Sequence, residues 1–294
     1  ILMNIVDKNT IQKNMGGRLL RNQIMKTLLF LATGFGLLVL AVLIYRIVSQ
    51  GIGHLDWSFF TNYASRRPEE AGIKAAIVGT IWLMSVTAPV SVILGVGTAI
   101  YLEEYARKNR LTRLIQVNIS NLAGVPSIVF GLLGLTVFVR MMEMGRSVLA
   151  GGLTMSLLIL PIIVVAAQEA IRAVPNDLRE ASYAMGASRW QTIRRVVLPA
   201  AIPGILTGAI LALSRAIGET APLLMIGALT FVAFLPENVF SGFTVMPIQI
   251  FNWTGRPQEE FHDVAAAAII VLLVMLLLMN SIAVFIRNKF QKRY

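Results

Sequence analysis

Long runs of uncharged, mostly apolar residues alternate with short charged segments along this chain of 294 residues. Five runs carry no charge, and a sixth is interrupted only by Arg215 and Glu219. Because a membrane-spanning helix needs about 20 residues, the pattern predicts six transmembrane helices. The expected spans cover residues 27–48, 75–102, 114–139, 147–170, 200–232 and 264–286.

The composition agrees with this pattern. The chain is 56% hydrophobic and 14% charged, whereas soluble domains carry about 25% charged residues. The expected fold class is therefore an all-α membrane protein. No small-residue cleavage site follows the first apolar run, so we expect a retained first span rather than a signal peptide. Residues 1–26 are then an N-terminal segment, and residues 27–294 form the transmembrane domain.

The distribution of lysine and arginine predicts an orientation. Alternate loops carry 18 of these residues on one side and 5 on the other. The richer set comprises residues 1–26, 103–113, 172–198 and 287–294, and the poorer set comprises 49–72, 140–146 and 233–263. Cytoplasmic loops are enriched in Lys and Arg, so both termini are expected inside. This bias accounts for most of the net charge of +11, and nucleic acid is not an expected partner.

The residues that several common catalytic and binding sites require are absent from this sequence. No Gly-Lys dipeptide is present, so the chain contains no P-loop and no ATPase site. His54 and His262 fall in predicted outside loops, which leaves no intramembrane Ser-His dyad and no histidine metal cluster. A membrane hydrolase would need a catalytic set that is not visible. We therefore expect a non-enzymatic chain that binds no cofactor itself.

The polar segment 172–199 has the signals of two short helices. Asn176 is placed to cap the first helix and Gly186 to end it. Ser188 is placed to cap the second, which Pro199 is expected to end before the fifth span begins. Two interpretations stay open. The segment is either an amphipathic connector in the lipid headgroups or a docking element for a soluble partner.

The same segment resembles the EAA loop of ABC importer permeases, EAA-x3-G-x9-I-x-L-P. The matching residues are Glu180-Ala181-Ser182, Gly186 and Val196-Val197-Leu198-Pro199, with Ser182 and Val196 as conservative departures. The resemblance implies a six-span type I (MetI-like) importer permease fold and a loop on which an ATPase docks. The docking residues that it implies are Arg179, Glu180, Ala181, Ser182, Gly186, Ala187 and Arg189.

A second stretch is similar to the phosphate importer permeases of the PstA family. It runs from Arg215 to Leu224 as RAIGETAPLL, and Ile100–Tyr105 and Pro126–Val129 also fit. The resemblance extends from about residue 20 to the C-terminus, and residues 1–19 match nothing that we can place. It implies the bacterial inner membrane and a heterodimer with a PstC-type permease. It also implies two PstB-type ATPases, which would carry ATP and Mg²⁺, and a periplasmic PstS-type phosphate-binding protein.

The residues themselves offer two interpretations of Arg215 and Glu219. If 200–232 is one helix, Arg215 lies near its centre, where a charge costs about 2.5–3.5 kcal/mol on insertion scales. Glu219 is four residues on and shares its face. The two form either an internal salt bridge that locks helix five to a neighbour, or part of an anion path. A guanidinium suits the second role because it offers parallel N–H donors to an oxyanion.

The candidate substrate path contains residues from two regions of the sequence. Gly218 and Pro222 are expected to kink the fifth span, because proline lacks the N–H that would bond the Gly218 carbonyl. Arg172 is either an exit-side charge or a snorkelling anchor. The path residues are Arg215, Glu219, Thr220, Ser214 and Arg172. The leading function is the permease of a phosphate importer. The alternatives are a permease for sulfate or molybdate, or a self-contained anion channel or secondary transporter.

Overall fold

The computed structural model describes residues 8–107, 109–228 and 231–290, and every regular element within these ranges is helical. Four stretches lie outside the described residues. Residues 1–7, 108 and 291–294 belong to predicted basic segments, and residues 229–230 belong to the predicted fifth span. The chain divides into two units, residues 1–50 and 51–294. The first unit is occupied by helix α1 (Lys8–Gly51), and its side chains from residue 17 onward are almost all exposed. A helix that is apolar around its whole circumference suits a lipid environment.

The second unit contains two short 3-10 helices, Ile52–His54 and Pro68–Glu70, together with the remaining eleven α-helices of the described residues. They are α2 (Trp57–Thr61), α3 (Lys74–Ile100), α4 (Arg110–Leu122), α5 (Ser127–Gly134), α6 (Val148–Arg172), α7 (Asn176–Ala184), α8 (Arg189–Thr192), α9 (Leu198–Gly218), α10 (Ala221–Ile226), α11 (Met246–Thr254) and α12 (Glu260–Phe290). π-helical turns extend α3 through Tyr101–Tyr105 and α5 through Leu135–Met141. A third, Ile193–Val197, joins α8 to α9.

Helix α6 is the centre of this unit and packs against both α3 and α9. Its Met155, Ile159 and Ile163 are almost completely buried. Small residues bring the backbones together, since a Cβ built on Gly208 of α9 would overlap the Cβ of Ala166 on α6. The packing that positions the loops therefore rests on apolar side chains and close backbone contact.

Hydrogen bonds between loops show which loops of the second unit lie together at each of its two ends. At the first, which we call the arginine-rich end, residues 101–113 meet residues 172–197, and Arg172 bonds Glu103 at 2.6 Å. At the second, which we call the opposite end, residues 52–73 and the start of α6 at residues 148–149 meet residues 233–259. There the Leu149 N–H donates to the Val239 carbonyl at 2.8 Å. The structure shows which loops share an end, and the orientation in the membrane stays a prediction of the charge count.

The predicted third span, 114–139, is a bent pair of helices and not one continuous helix. Helices α4 and α5 meet at an angle of 103° across residues 123–126. Pro126 has no N–H for a helical bond, and proline pushes the residue before it out of the α conformation. Within the described residues, five helices are long and apolar enough to cross a membrane, or six if this bent pair counts as one span.

The predicted fifth span, 200–232, is not one helix with these bounds. Its helix runs from Arg189 to Gly218 and then stops. Pro199 does not end the second loop helix, because it lies in the first turn of α9 directly after the π-helical turn. Proline is tolerated in a first turn, so the loop helix continues without a break into the span.

Candidate functional site

Arg215 and Glu219 lie where a long helix is interrupted. Arg215 is in the last turn of α9, and Glu219 follows it in an extended conformation. The Arg215 Nε donates to the Glu219 Oε1 at 3.2 Å. The Arg215 side chain is 56% exposed in the isolated chain and that of Glu219 is 18% exposed. The predicted pair forms, but the expectation that Arg215 lies at the centre of a 200–232 helix is wrong.

The short helix α10 packs against α5, so two interrupted helices meet beside this pair. A Cβ built on Gly131 of α5 would lie 2.7 Å from the Pro222 Cα, which makes glycine necessary for this contact. Pro222 is buried in the first turn of α10. The prediction of a kink in one continuous helix is therefore wrong. Gly218 ends α9, and Pro222 lies in the first turn of a separate helix, α10.

The two hydroxyl residues of the predicted path have different surroundings. The Ser214 hydroxyl lies within bonding distance of the Ile210 carbonyl and of the Asn280 side chain on α12. It therefore ties α9 to α12. Thr220 is half-buried in the break, and its carbonyl accepts from the Leu224 N–H at 3.0 Å.

Arg172 is not brought together with Arg215. It lies at the arginine-rich end, bonded to Glu103 at 2.6 Å and to Glu169 at 3.0 Å. Arg215 is 17 residues into α9 from the same end, which corresponds to about 26 Å at the α-helical rise. Arg172 instead lines a polar cleft of about 610 Å³ with Arg110 and Arg113 of α4.

Helices α7 and α8 form a compact knob, residues 176–192, at the arginine-rich end. Gly186 ends α7 with φ +79°, and Ser188 caps α8 in a capping box with Gln191, so both of these predictions are confirmed. The predicted cap at Asn176 is displaced by one residue, because Pro175 holds that position. The hydroxyls of Ser182 and Thr192 meet at 2.8 Å and join the two helices.

The predicted docking residues divide by exposure. Glu180, Ala181, Gly186 and Arg189 are exposed, whereas Ser182 and Ala187 are half-buried. The prediction that Arg179 is a docking residue needs correction. Its guanidinium turns inward and pairs with Glu104 at 3.0 Å, and its side chain is only 15% exposed. It is not free to meet a partner directly.

Sequence reasoning missed apolar side chains on the same knob. Met185 is 88% exposed, Trp190 54% and Tyr183 43%. Aromatic side chains are frequent anchors of protein interfaces. The exposure of Met185 could have been predicted from its position directly before the glycine that ends α7, because no following helical turn covers its side chain there.

Comparison with known protein families identifies the family of this chain. Residues 91–294 match the family described as the binding-protein-dependent transport system inner membrane component. The chain belongs to this family. This permease is therefore a transport subunit of the inner membrane without an ATPase site of its own, and it works with a separate ATPase and a substrate-binding protein.

Two relatives cover most of the permease. A probable ABC transporter permease of Bacillus subtilis, YqgI, is 38% identical over 238 residues, which are 78% of this chain and 79% of the relative. The phosphate transport system permease protein PstA 1 of Mycobacterium tuberculosis (strain CDC 1551 / Oshkosh) is 37% identical over 213 residues, which are 71% of this chain and 70% of the relative.

Two solved structures share the fold. The inward-facing MetNI methionine ABC transporter matches with a TM-score of 0.62 and 20% identity over 74% of this chain and 95% of that chain. A bacterial alginate ABC transporter matches with a TM-score of 0.64 and 16% identity over 92% of this chain and 96% of that chain. The all-α, MetI-like permease fold predicted from the sequence is confirmed.

Proposed function

We propose that this permease forms half of the translocation path of an ATP-driven phosphate importer. Its similarity to PstA 1 over 71% of the chain supports phosphate as the substrate. The Arg215–Glu219 pair at the interrupted helix is the single observation that carries the mechanism. The partners are a PstC-type permease, two PstB-type ATPases that hold ATP and Mg²⁺, and a PstS-type binding protein.

In this proposal Arg215 is the group that meets the anion. Its contact with Glu219 uses Nε at 3.2 Å, and its side chain is 56% exposed on the surface of the single chain. A guanidinium offers paired N–H donors to a phosphate. Two unit charges at about 4 Å interact by about 4 kcal/mol at an effective dielectric of about 20. Glu219 competes for the same cation, so the anion is released rather than trapped.

The geometry weakens the alternative of a strut between helices. Arg215 and Glu219 belong to one continuous segment, four residues apart. Their bond spans a break in that segment and does not join α9 to another helix. In contrast, Ser214 does bond a residue of α12. A role in locking the bundle is therefore better supplied by Ser214 than by the charged pair.

Arg172 has an exit-side role in the same proposal. Together with Arg110 and Arg113 it lines the polar cleft of about 610 Å³ at the arginine-rich end, which the charge count assigns to the cytoplasm. Its guanidinium is bonded to Glu103 and Glu169. An anion that leaves the path here meets, in Arg172, a cation whose charge is partly neutralised by two carboxylates, which favours release.

Two variants of the complex separate the proposal from a structural role. Arg215→Gln is expected to assemble normally and lose phosphate uptake, and Arg215→Leu with Glu219→Leu is expected to assemble and stay inactive. The measurement is uptake of labelled phosphate into vesicles that contain the whole complex, normalised to assembled protein. Full uptake by the double variant would show that the charges serve the fold. Uptake of sulfate or molybdate in place of phosphate would contradict the assignment of phosphate as the substrate.

A further inference from the structure

The π-helical turn Tyr101–Tyr105 directs two consecutive glutamates to different neighbours. The wider turn is closed by the Ala106 N–H, which donates to the Tyr101 carbonyl at 2.8 Å. Glu103 accepts from the Gln168 amide at 2.9 Å and also bonds Arg172, both on α6. Glu104 instead bonds Arg179 of α7. The end of α3 is thereby connected both to the central helix and to the knob.

The Arg179 guanidinium joins three elements at once. Nε and Nη2 donate to one oxygen of Glu104 at 3.2 and 3.0 Å. Nη1 donates to the Val174 carbonyl at 2.6 Å, and Nη2 donates to the Ile171 carbonyl at 2.8 Å. These carbonyls lie at the C-terminal end of α6, where a cation is favourable. A lysine has a single nitrogen and does not reproduce this fork of donors.

The pair is more enclosed than the neighbouring ion pair. The side chains of Arg179 and Glu104 are 15% and 8% exposed, whereas Arg172 of the adjacent pair is 46% exposed. A second contact reinforces the connection, because the Arg189 guanidinium lies 5.1 Å from the centre of the Tyr105 ring. Both halves of the knob are therefore attached to the same π-helical turn.

Helix α3 is not adjacent to the knob along the chain, whereas α6 and α9 are. Helix α7 follows α6 after three residues, and α8 runs directly into α9. We infer that Glu104 and Arg179 are positioning residues that transmit movement of the knob to α3. The inference rests on the proposed docking of an ATPase on the knob and extends it, because Arg179 would act through Glu104.

The first test replaces the pair by apolar residues of similar size. Replacing a buried ion pair in this way is often tolerated by the fold, so Arg179→Met with Glu104→Leu is expected to assemble. We expect the ratio of phosphate transported to ATP hydrolysed to fall at least tenfold, with hydrolysis itself within twofold of wild type. The matched control, Arg67→Met with Glu70→Leu, removes an ion pair whose side chains are 79% and 59% exposed, and it should leave this ratio unchanged.

The second test follows the knob itself and needs no transported solute. The chain contains no cysteine, so spin labels placed through Arg107→Cys and Asp177→Cys report the distance between the end of α3 and α7. In the otherwise unchanged complex this distance should keep one narrow distribution with and without ATP. In the Arg179→Met, Glu104→Leu variant it should broaden.

The outcomes of these tests are distinct. A narrow distance or a wild-type transport ratio in the double variant would overturn the inference, and failure of that variant to assemble would reduce the pair to a stabilising contact and overturn it as well. If the wild-type complex imported a different solute, the proposed substrate would fail. The spin-label distances and the rate of ATP hydrolysis would still decide whether the pair positions the knob.

Discussion

At Gly131 a single hydrogen in place of a side chain allows two interrupted helices to meet. A Cβ at this position would lie 2.7 Å from the Pro222 Cα and 2.9 Å from the Met225 Cβ. The first of these is a backbone atom, so it does not move aside as the end of a flexible side chain does. Any substitution must therefore displace α10, which follows directly after the Arg215–Glu219 pair.

Gly131→Ala is expected to destabilise the protein by about 1–3 kcal/mol, the usual cost of overpacking a core. The matched control is Gly97→Ala on α3, because Gly97 is also helical and a Cβ there meets nothing within 4 Å. The control is expected to be stabilising by about 0.5–1 kcal/mol, since alanine favours helix over glycine. Thermal unfolding of the detergent-solubilised complex measures both. Equal melting temperatures for the two variants would contradict the close contact.

Among the helices, the knob is the element that the sequence describes best. Its caps are local: Ser188 bonds residues three positions away, and Gly186 supplies a backbone conformation that other residues avoid. The sequence placed a kink at Gly218 and Pro222, where the fifth span is in fact interrupted, but it did not predict that one helix ends there and another begins, and it predicted no break in the third span. The contact that brings the two interrupted helices together joins distant residues, Gly131 and Pro222, which sequence patterns do not reveal. Arg179 was misplaced for the same reason, since its partner Glu104 is 75 residues away.

Gly186→Leu is expected to uncouple ATP hydrolysis from transport while the protein remains in the membrane. Leucine at φ +79° costs about 1–2 kcal/mol in backbone strain, and its bulk stands on the exposed tip of the knob beside Met185. Gly145→Leu is the matched control, because Gly145 has φ +64° and open space around its Cβ position, at the opposite end.

The two leucine variants separate strain from docking. If strain alone mattered, both would lower the stimulation of the ATPase by the permease to a similar extent. Docking predicts that Gly186→Leu abolishes this stimulation and that Gly145→Leu retains it. The measurement is ATP hydrolysis by the reconstituted complex, with phosphate uptake followed in parallel. Normal stimulation by the Gly186→Leu complex would leave the knob as a connector only.

At the level of the whole molecule, the ion pairs of the second unit reduce the topology to two choices. Residues 101–113 and 172–197 share one end because Glu103 bonds Arg172 and Glu104 bonds Arg179. At the opposite end a hydrogen bond joins two loops, because the Arg256 side chain donates to the Ser65 carbonyl at 3.4 Å. We therefore expect these loops to face the two sides of the membrane as groups, so that only the direction of the whole unit is left to assign.

The charge count makes that assignment, and reporter fusions test it. Of the lysines and arginines in the loops and terminal segments, 18 lie in the segments expected inside and 5 in those expected outside, and such an excess marks the cytoplasmic side. Fusions at Ser65 and Gln258 should report outside, and fusions at Asn109 and Arg189 should report inside. An outside signal at Arg189 would place the knob away from ATP and contradict the docking proposal. Different signals from Asn109 and Arg189 would instead contradict the ion pairs that place both at one end.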